Sequence, residues 1–73
     1  MSRRTTIGEY LRSRRIEAGL TFRELSVLSG MSTTLLFNIE SAKTEPKLRH
    51  IEQLASAFGE SPAKLLRKYY SQV

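Results

Sequence analysis

Residues 21–40 contain two short helix patterns separated by a single glycine, and this spacing leaves few folds open. Thr21 begins a Thr-x-x-Glu capping box, in which hydroxyl and carboxylate each satisfy an unpaired amide at a helix start. Gly30 offers the left-handed backbone that ends a helix, and Ser32 caps the next one. We therefore predict helices over about 22–29 and 33–40, joined by a tight turn.

The flanking sequence carries similar start and stop signals. Thr6 begins a second capping box, and Gly19 marks the following stop. Pro46 and Pro62 stand where proline introduces a helix, and no strand alternation or internal repeat competes. We predict an all-α fold, a compact five-helix bundle forming one domain over residues 1–73. The three further helices are expected over about 7–18, from Pro46 to Gly59, and from Pro62 onwards.

Apolar residues recur at helical spacing and predict which side of each helix faces the core. The expected core positions are Leu11 in the first helix, Leu25 and Leu28 in the second, Leu36 and Ile39 in the third, Leu48, Ile51, Leu54, Ala55 and Phe58 in the fourth, and Leu65, Leu66 and Tyr69 in the fifth.

Composition excludes several classes of site. The chain has no cysteine and one histidine, His50, so neither a disulfide nor a zinc centre is expected. There is no glycine-rich phosphate loop and no room for a sizeable substrate pocket, so we predict no enzyme, no cofactor and no small-molecule ligand. Neither a signal peptide nor a membrane span is recognisable, which predicts a cytoplasmic protein with no membrane partner.

Charge is unevenly distributed along the chain. The net charge is +5, and residues 1–23 hold six arginines against two glutamates, whereas residues 24–42 hold no lysine or arginine. Excess positive charge suits a polyanionic partner, although many small basic proteins are simply soluble. Arg3 and Arg4 would form a basic N-terminal arm over residues 1–5.

Several motifs occur in an order that resembles the Cro/repressor-type (Xre-type) helix-turn-helix family, which has the lambda-repressor-like DNA-binding fold. The resemblance spans about residues 7–66. Its carriers are Ile7, Gly8, Arg15, Gly19, Leu20, Thr21, Glu24, Leu25, Gly30, Ser32, Leu36, Ile39, Glu40, Pro46, Leu48, Ile51, Ala55, Phe58 and Gly59. It implies a sequence-specific regulator of transcription, a repressor of bacterial or phage origin, that binds double-stranded DNA as a homodimer on a near-palindromic operator.

The resemblance implies that residues 21–40 are the helix-turn-helix proper and that the helix 32–40 enters the major groove. With Leu36 and Ile39 turned inward, helical geometry directs the opposite residues outward. An amide forms two hydrogen bonds with the major-groove edge of adenine, and a threonine methyl meets the thymine methyl. An ordinary solvated helix face is the alternative. The predicted base-reading residues are Thr33, Thr34, Phe37 and Asn38.

Phosphate contacts are expected at helix starts and from neighbouring cations, because helix N-termini attract anions and bound cations release counterions. The predicted phosphate-contacting residues are Thr21, Arg23, Ser32, Ser41, Lys43 and Lys47; Arg12 and Arg14 would widen this footprint. The resemblance also implies a partly buried ion pair between Arg15 and Glu40, with two solvated charges as the alternative.

Some residues depart from the family pattern. Phe22 replaces a frequent glutamine, and Ala42 replaces a customary glycine that adopts left-handed backbone more readily. Phe37 replaces a small or polar residue and would contact a thymine methyl, a partner protein or its own scaffold. Tyr69 and Tyr70 would belong to a dimer interface or to a frayed last turn. A protein-interaction module or an antitoxin-like partner-binding protein is therefore the alternative function.

Overall fold

The computed structural model describes residues 6–71, and the arm over residues 1–5, with Arg3 and Arg4, lies outside this range. Five helices and no strand occur within it, which confirms the predicted all-α fold. Each helix boundary agrees with the prediction to within about two residues. The helices are α1 (Ile7–Glu17), α2 (Phe22–Ser29), α3 (Thr33–Glu40), α4 (Leu48–Ala57) and α5 (Pro62–Ser71).

The predicted capping boxes begin α1 and α2. In α1 the Thr6 hydroxyl accepts a hydrogen bond from the amide of Glu9 (3.0 Å), and the Glu9 carboxylate accepts one from the amide of Thr6 (2.9 Å). Thr21 and Glu24 repeat the arrangement in α2. These short-range bonds satisfy amides that a helix leaves unpaired, and so the helix starts are set locally.

Helix α4 begins with a different cap. The backbone amide of Lys47 donates to Nδ1 of His50 at 3.0 Å. Only an unprotonated imidazole nitrogen accepts a hydrogen bond, so the cap requires neutral His50. Burial lowers the pKa of His50, and the nearby charges of Arg49 and Lys47 lower it further. The histidine that sequence analysis excluded as a zinc ligand thus serves as a structural cap.

The core lies where α1 and α2 pack on α3, α2 packs on α4, and α4 packs on α5. Leu28 and Leu48 were wrongly predicted to lie in it: they are 56% and 67% exposed. Leu28 falls at the edge of the face of α2 that Leu25 and Ser29 bury, and Leu48 begins α4 before that helix reaches the core. The buried apolar residues are Tyr10, Leu11, Leu25, Met31, Leu36, Ile39, Ile51, Leu54, Ala55 and Leu65.

Glu60 connects the first and the last helix through two ion pairs. Its buried carboxylate forms ion pairs with Arg14 of α1 at 2.7 Å and Lys68 of α5 at 2.9 Å. Burial alone would raise the pKa of Glu60, but the hydrogen bonds and charges of Lys68 and Arg14 outweigh it and lower the pKa. Arg14 also lies over the Phe58 ring. Arg14 is therefore occupied within the scaffold, and the prediction that it widens a DNA footprint is not supported by its position.

No helix within residues 6–71 is long and apolar enough to cross a lipid bilayer.

Gly8 allows α1 to touch the end of α3. A Cβ atom at this position would overlap the carbonyl oxygen of Ile39 and lie 3.1 Å from that of Glu40. Because both neighbours are backbone atoms, neither moves aside without shifting α3. Gly8 thus sets the distance between the two helices.

Replacing Gly8 with alanine should lower the free energy of unfolding by about 1–3 kcal/mol, the usual cost of overpacking. This loss would occur although alanine is the better helix former. Urea denaturation measures it, with Ser13→Ala on the exposed side of α1 as the control. A Gly8→Ala protein as stable as the wild type would show that the helices are not in close contact.

The His50 cap should make stability depend on pH between about 7 and 5. The pKa of folded His50 lies below its ordinary value of 6.5, so the unfolded chain binds more protons in this range. Stability is therefore full above pH 6.5 and falls as the pH drops through the folded pKa, by up to about 1 kcal/mol, a typical value for a cap.

The matched variant is His50→Gln, because a glutamine in the third position of a helix can accept the same hydrogen bond from the capping amide but does not titrate. Its thermal midpoint should be flat where that of the wild type declines. The Glu60 ion pairs are lost only at lower pH, because the pKa of Glu60 lies below its ordinary 4.5. Equal pH profiles for both proteins between pH 7 and 5 would contradict the cap.

Candidate nucleic-acid interface

The turn between α2 and α3 is held by hydrogen bonds in addition to glycine. Gly30 has the predicted left-handed backbone, with φ 75°, and its amide donates to the carbonyl of Ser26. The Ser26 hydroxyl donates to the Met31 carbonyl, and the Ser29 hydroxyl accepts from the Met31 amide at 3.2 Å. Met31 is buried, so the turn is anchored in the core. The role of Ser26 as a donor was not evident from the sequence.

Helix α3 has one buried and one exposed side. Leu36 and Ile39 are almost fully buried. Thr33 and Thr34 are exposed, and Asn38 is partly buried beside them. Phe37 is exposed as well. All four predicted base-reading residues thus lie on the accessible side of α3, and their role in reading bases stays a prediction.

The predicted phosphate-contacting residues are all exposed, and they lie at the start of α2, at the start of α3 and in the segment between α3 and α4. Thr21 and Ser32 cap α2 and α3 with their hydroxyl oxygens. The Ser41 hydroxyl donates to the Phe37 carbonyl at 2.6 Å, so its proton is already used within the helix. The remaining residues are Arg23 in the first turn of α2, Lys43 in the loop after α3, and Lys47 before α4.

Arg15 and Glu40 form a bidentate ion pair between α1 and the end of α3. Arg15 Nε lies 2.9 Å from Glu40 Oε2, and Nη2 lies 3.2 Å from Oε1. A third guanidinium nitrogen donates to the Leu20 carbonyl at 2.8 Å. The Arg15 and Glu40 side chains are only 11% and 5% exposed, so the charges are largely removed from water. The pair joins the scaffold to the helix that carries the outward face.

Two phenylalanines extend this arrangement towards the surface. The Arg15 guanidinium lies 4.1 Å from the centre of the Phe22 ring, within range of a cation–π interaction. Phe22 in turn meets Phe37 edge-on, with ring centres 6.2 Å apart. Phe37 nevertheless stays 49% exposed. The expectation that Phe37 packs on its own scaffold is therefore met in part: Phe22 contacts the ring, Lys43 Nζ lies 5.3 Å from its centre, and about half of the residue stays exposed.

These residues surround a shallow cleft beside α3 of about 320 Å³, lined by Arg12, Arg15, Phe22, Phe37, Glu40 and Ser41.

Ala42 ends α3 with left-handed backbone, φ 63°, and it is the one non-glycine residue with positive φ in the part of the chain that the structure describes. The loop that follows is closed by the Asn38 carbonyl, which accepts from the amides of Lys43 and Thr44. Although alanine adopts this conformation less readily than glycine, the loop keeps the left-handed residue.

Removing the carboxylate of Glu40 should strongly destabilise the fold, because it leaves the Arg15 guanidinium buried without its counter-ion. We expect Glu40→Ala to lower the free energy of unfolding by about 3–5 kcal/mol. Chemical denaturation measures the loss, and Glu52→Ala, which removes an exposed carboxylate from α4, is the matched control. Similar small changes in both variants would mean that the ion pair does not hold α3 in place.

Comparison with known proteins places this geometry among solved structures. The C.AhdI restriction-modification controller protein from Aeromonas hydrophila is 31% identical, with a TM-score of 0.73 over 80% of this chain and 88% of that one. The DNA-binding domain of the P22 C2 repressor is 28% identical, with a TM-score of 0.80 over 99% and 95%. A chain of the SinR–SinI complex, 23% identical over 93% and 67%, shares the fold with a TM-score of 0.76.

No curated protein sequence matches the chain. The model of the helix-turn-helix domain family, however, matches residues 6–67, which include all but the end of α5. The matched region contains the left-handed turn at Gly30, the outward face of α3 and the Arg15–Glu40 pair. The chain belongs to the helix-turn-helix domain family, and its fold is that of the Cro/repressor-type proteins.

Proposed function

We propose that this protein is a sequence-specific regulator of transcription that binds double-stranded DNA by inserting α3 into the major groove. The observation that carries the proposal is the exposed side of α3. It presents Thr33, Thr34 and Asn38, which are polar but uncharged, and along the chain these residues lie between the exposed Arg23 and the exposed Lys43 and Lys47. Uncharged donors and acceptors distinguish base pairs, whereas cations attract any phosphate, so this division of residues suits selective binding.

The relatives support the same function. The P22 C2 repressor structure is that of a DNA-binding domain, and nearly the whole of it aligns with this chain. C.AhdI is a controller protein of a restriction-modification system. A family of this kind favours a binding protein over an enzyme. A bacterial or phage cytoplasm, where such a regulator meets DNA, is the location we propose.

In the proposed complex, Asn38 donates to and accepts from an adenine edge, and the methyls of Thr33 and Thr34 contact thymine. The amides at the starts of α2 and α3 face the backbone phosphates, joined by Thr21 and Ser32. Arg23, Lys43 and Lys47 add charge at the flanks. The Ser41 hydroxyl already donates its hydrogen bond to the Phe37 carbonyl, and phosphate oxygens only accept hydrogen bonds. The predicted phosphate contact of Ser41 would therefore require that bond to break.

We further propose that the protein binds a near-palindromic operator as a homodimer, with Tyr70 at the interface. Tyr69 packs against the buried Tyr10, with ring centres 5.5 Å apart, and Tyr70 lies 5.1 Å from Tyr69. Tyr70 is exposed and borders a cleft that includes Ile7 and Leu66. Helix-turn-helix dimers hold their two recognition helices about 34 Å apart, one turn of DNA, and a two-fold axis near Tyr70 would have to produce this spacing. Repression follows if the operator overlaps a promoter.

A protein-interaction module is the second candidate, because Val27, Leu28 and Leu48 expose apolar surface that DNA binding does not use. An antitoxin-like protein would use such a surface to bind its partner. Dependence on salt separates the two functions, because apolar contacts between proteins do not release counterions.

Selection from random DNA duplexes, with affinity measured at two salt concentrations, tests the proposed function directly. We expect a motif with two-fold symmetry to be enriched. The logarithm of the affinity should fall with the logarithm of salt concentration, with a slope near −0.9 for each phosphate neutralised. Failure to enrich any motif, or affinity unaffected by salt, would favour the interaction module.

Replacing Asn38 with alanine should weaken binding selectively, by about 1–3 kcal/mol, at a single base position of each half-site. The matched control is Lys47→Ala, which should weaken binding to all sequences alike and make the salt slope shallower by about one. Affinities for a set of duplexes with single base changes measure both. If Asn38→Ala lost affinity uniformly, Asn38 would contact the DNA backbone.

A further inference from the structure

We propose that Phe37 recognises the C5 methyl group of a pyrimidine in the major groove, so that the protein distinguishes methylated from unmethylated pyrimidines at one position of each half-site. This inference rests on the proposed function, since it requires α3 to lie in the groove. It specifies the chemical group that the aromatic side chain of α3 recognises.

Phe37 combines exposure with a fixed orientation. The ring is about half exposed, on a helix whose other large apolar side chains are buried or partly buried. The Phe22 ring contacts the Phe37 ring and supports it. Arg15 lies over the Phe22 ring and is itself held by its ion pair with Glu40. A ring positioned in this way loses little conformational freedom when it meets a ligand, and this favours its use in binding.

The charges around the ring favour DNA over a protein as its partner. Lys43 Nζ lies 5.3 Å from the ring centre, and the exposed Arg12 lines the adjoining cleft. The one carboxylate of that cleft, Glu40, is neutralised by Arg15. The apolar ring is thus set among cations, an arrangement that suits the surface of a polyanion.

The major groove offers few partners to such a ring. Base edges present hydrogen-bond donors and acceptors, which a phenyl ring cannot satisfy, and the apolar exception is the methyl group at C5 of thymine. A methyl group at C5 of cytosine occupies the equivalent place. The chemistry that matches Phe37 is therefore a 5-methylpyrimidine, from either thymine or 5-methylcytosine.

The test starts from the operator obtained by selection, in which each thymine is replaced singly by deoxyuridine. Uracil lacks only the methyl group, so hydrogen bonding is unchanged. Besides the positions proposed for Thr33 and Thr34, the wild type should lose about fourfold in affinity at one further position per half-site, which corresponds to roughly 0.8 kcal/mol for one methyl group. At that further position the Phe37→Ser variant should bind the thymine and uracil duplexes equally, while it keeps the differences at the positions of Thr33 and Thr34.

A second arm distinguishes the two sources of the methyl group. The same position is changed to a C·G pair, with the cytosine either unmodified or methylated at C5. Methylation should raise the affinity of the wild type about fourfold and leave that of Phe37→Ser unchanged. If thymine matters and cytosine methylation does not, the site reads thymine alone, and the claim for methylated cytosine is overturned.

The matched control is Val27→Ser, which removes an exposed apolar side chain from α2 and should keep the full difference between thymine and uracil. Phe37→Leu should retain part of it, because an apolar contact remains. Should Phe37→Ser not fold, Phe37→Leu supplies the comparison, because a partial loss of the thymine–uracil difference at one position only assigns that methyl group to Phe37 rather than to Thr33 or Thr34. No sensitivity to uracil at any position would overturn the proposal, as would equal sensitivity in the wild type and Phe37→Ser.

Failure of this inference is separable from failure of the proposed function. If no operator is enriched, both are wrong. If an operator is enriched and its methyl groups make no difference, the protein binds DNA but Phe37 does not read methyl groups. Phe37 would then be free to contact a protein, which capture of a partner in the presence of the operator would reveal.

Discussion

The Arg15–Glu40 ion pair is the interaction on which the orientation of α3 depends. It joins the middle of the scaffold to the end of α3, and Arg15 also holds the chain between α1 and α2 through the Leu20 carbonyl. A largely buried pair of this kind contributes little net stability compared with apolar packing, but it is costly to break. It also has a defined geometry, because guanidinium and carboxylate meet in one plane. The orientation of α3 is therefore set by direction-dependent bonds as well as by packing.

Two further features act on the same junction. Gly8 lets the backbone of α1 approach the last turn of α3, so the ion pair forms at short range. Phe22 covers the guanidinium and supports Phe37 in turn. A phenylalanine at position 22 cannot form the hydrogen bond that a glutamine could. Its ring instead stabilises the Arg15 guanidinium and the Phe37 ring by direct contact. Phe22 thus covers the guanidinium and also supports the side chain for which we propose recognition of a methyl group.

Most of the fold could be predicted because its signals are local. Capping boxes at Thr6 and Thr21 and the stop at Gly30 act within a few residues, so the sequence shows them directly. Burial was predictable only where a helix lies wholly against its neighbours. Leu28 and Leu48 follow the helical period but lie where α2 and α4 have no neighbour to cover them. Periodicity shows which residues share a face, and the packing of the other helices decides how much of that face is buried.

The sequence by itself determined the five helices, the family and the candidate reading face, because these depend on spacing along the chain and on motifs in a fixed order. The tertiary structure alone decided the functions of Gly8 and Phe22. The close contact at Gly8 joins residues that are about 31 positions apart, and the stacking of Phe22 under Arg15 depends on how two helices cross. The tertiary structure also showed that Arg14 forms an ion pair with Glu60 and that Phe37 is half exposed. Such contacts follow from three-dimensional proximity, which no local pattern encodes.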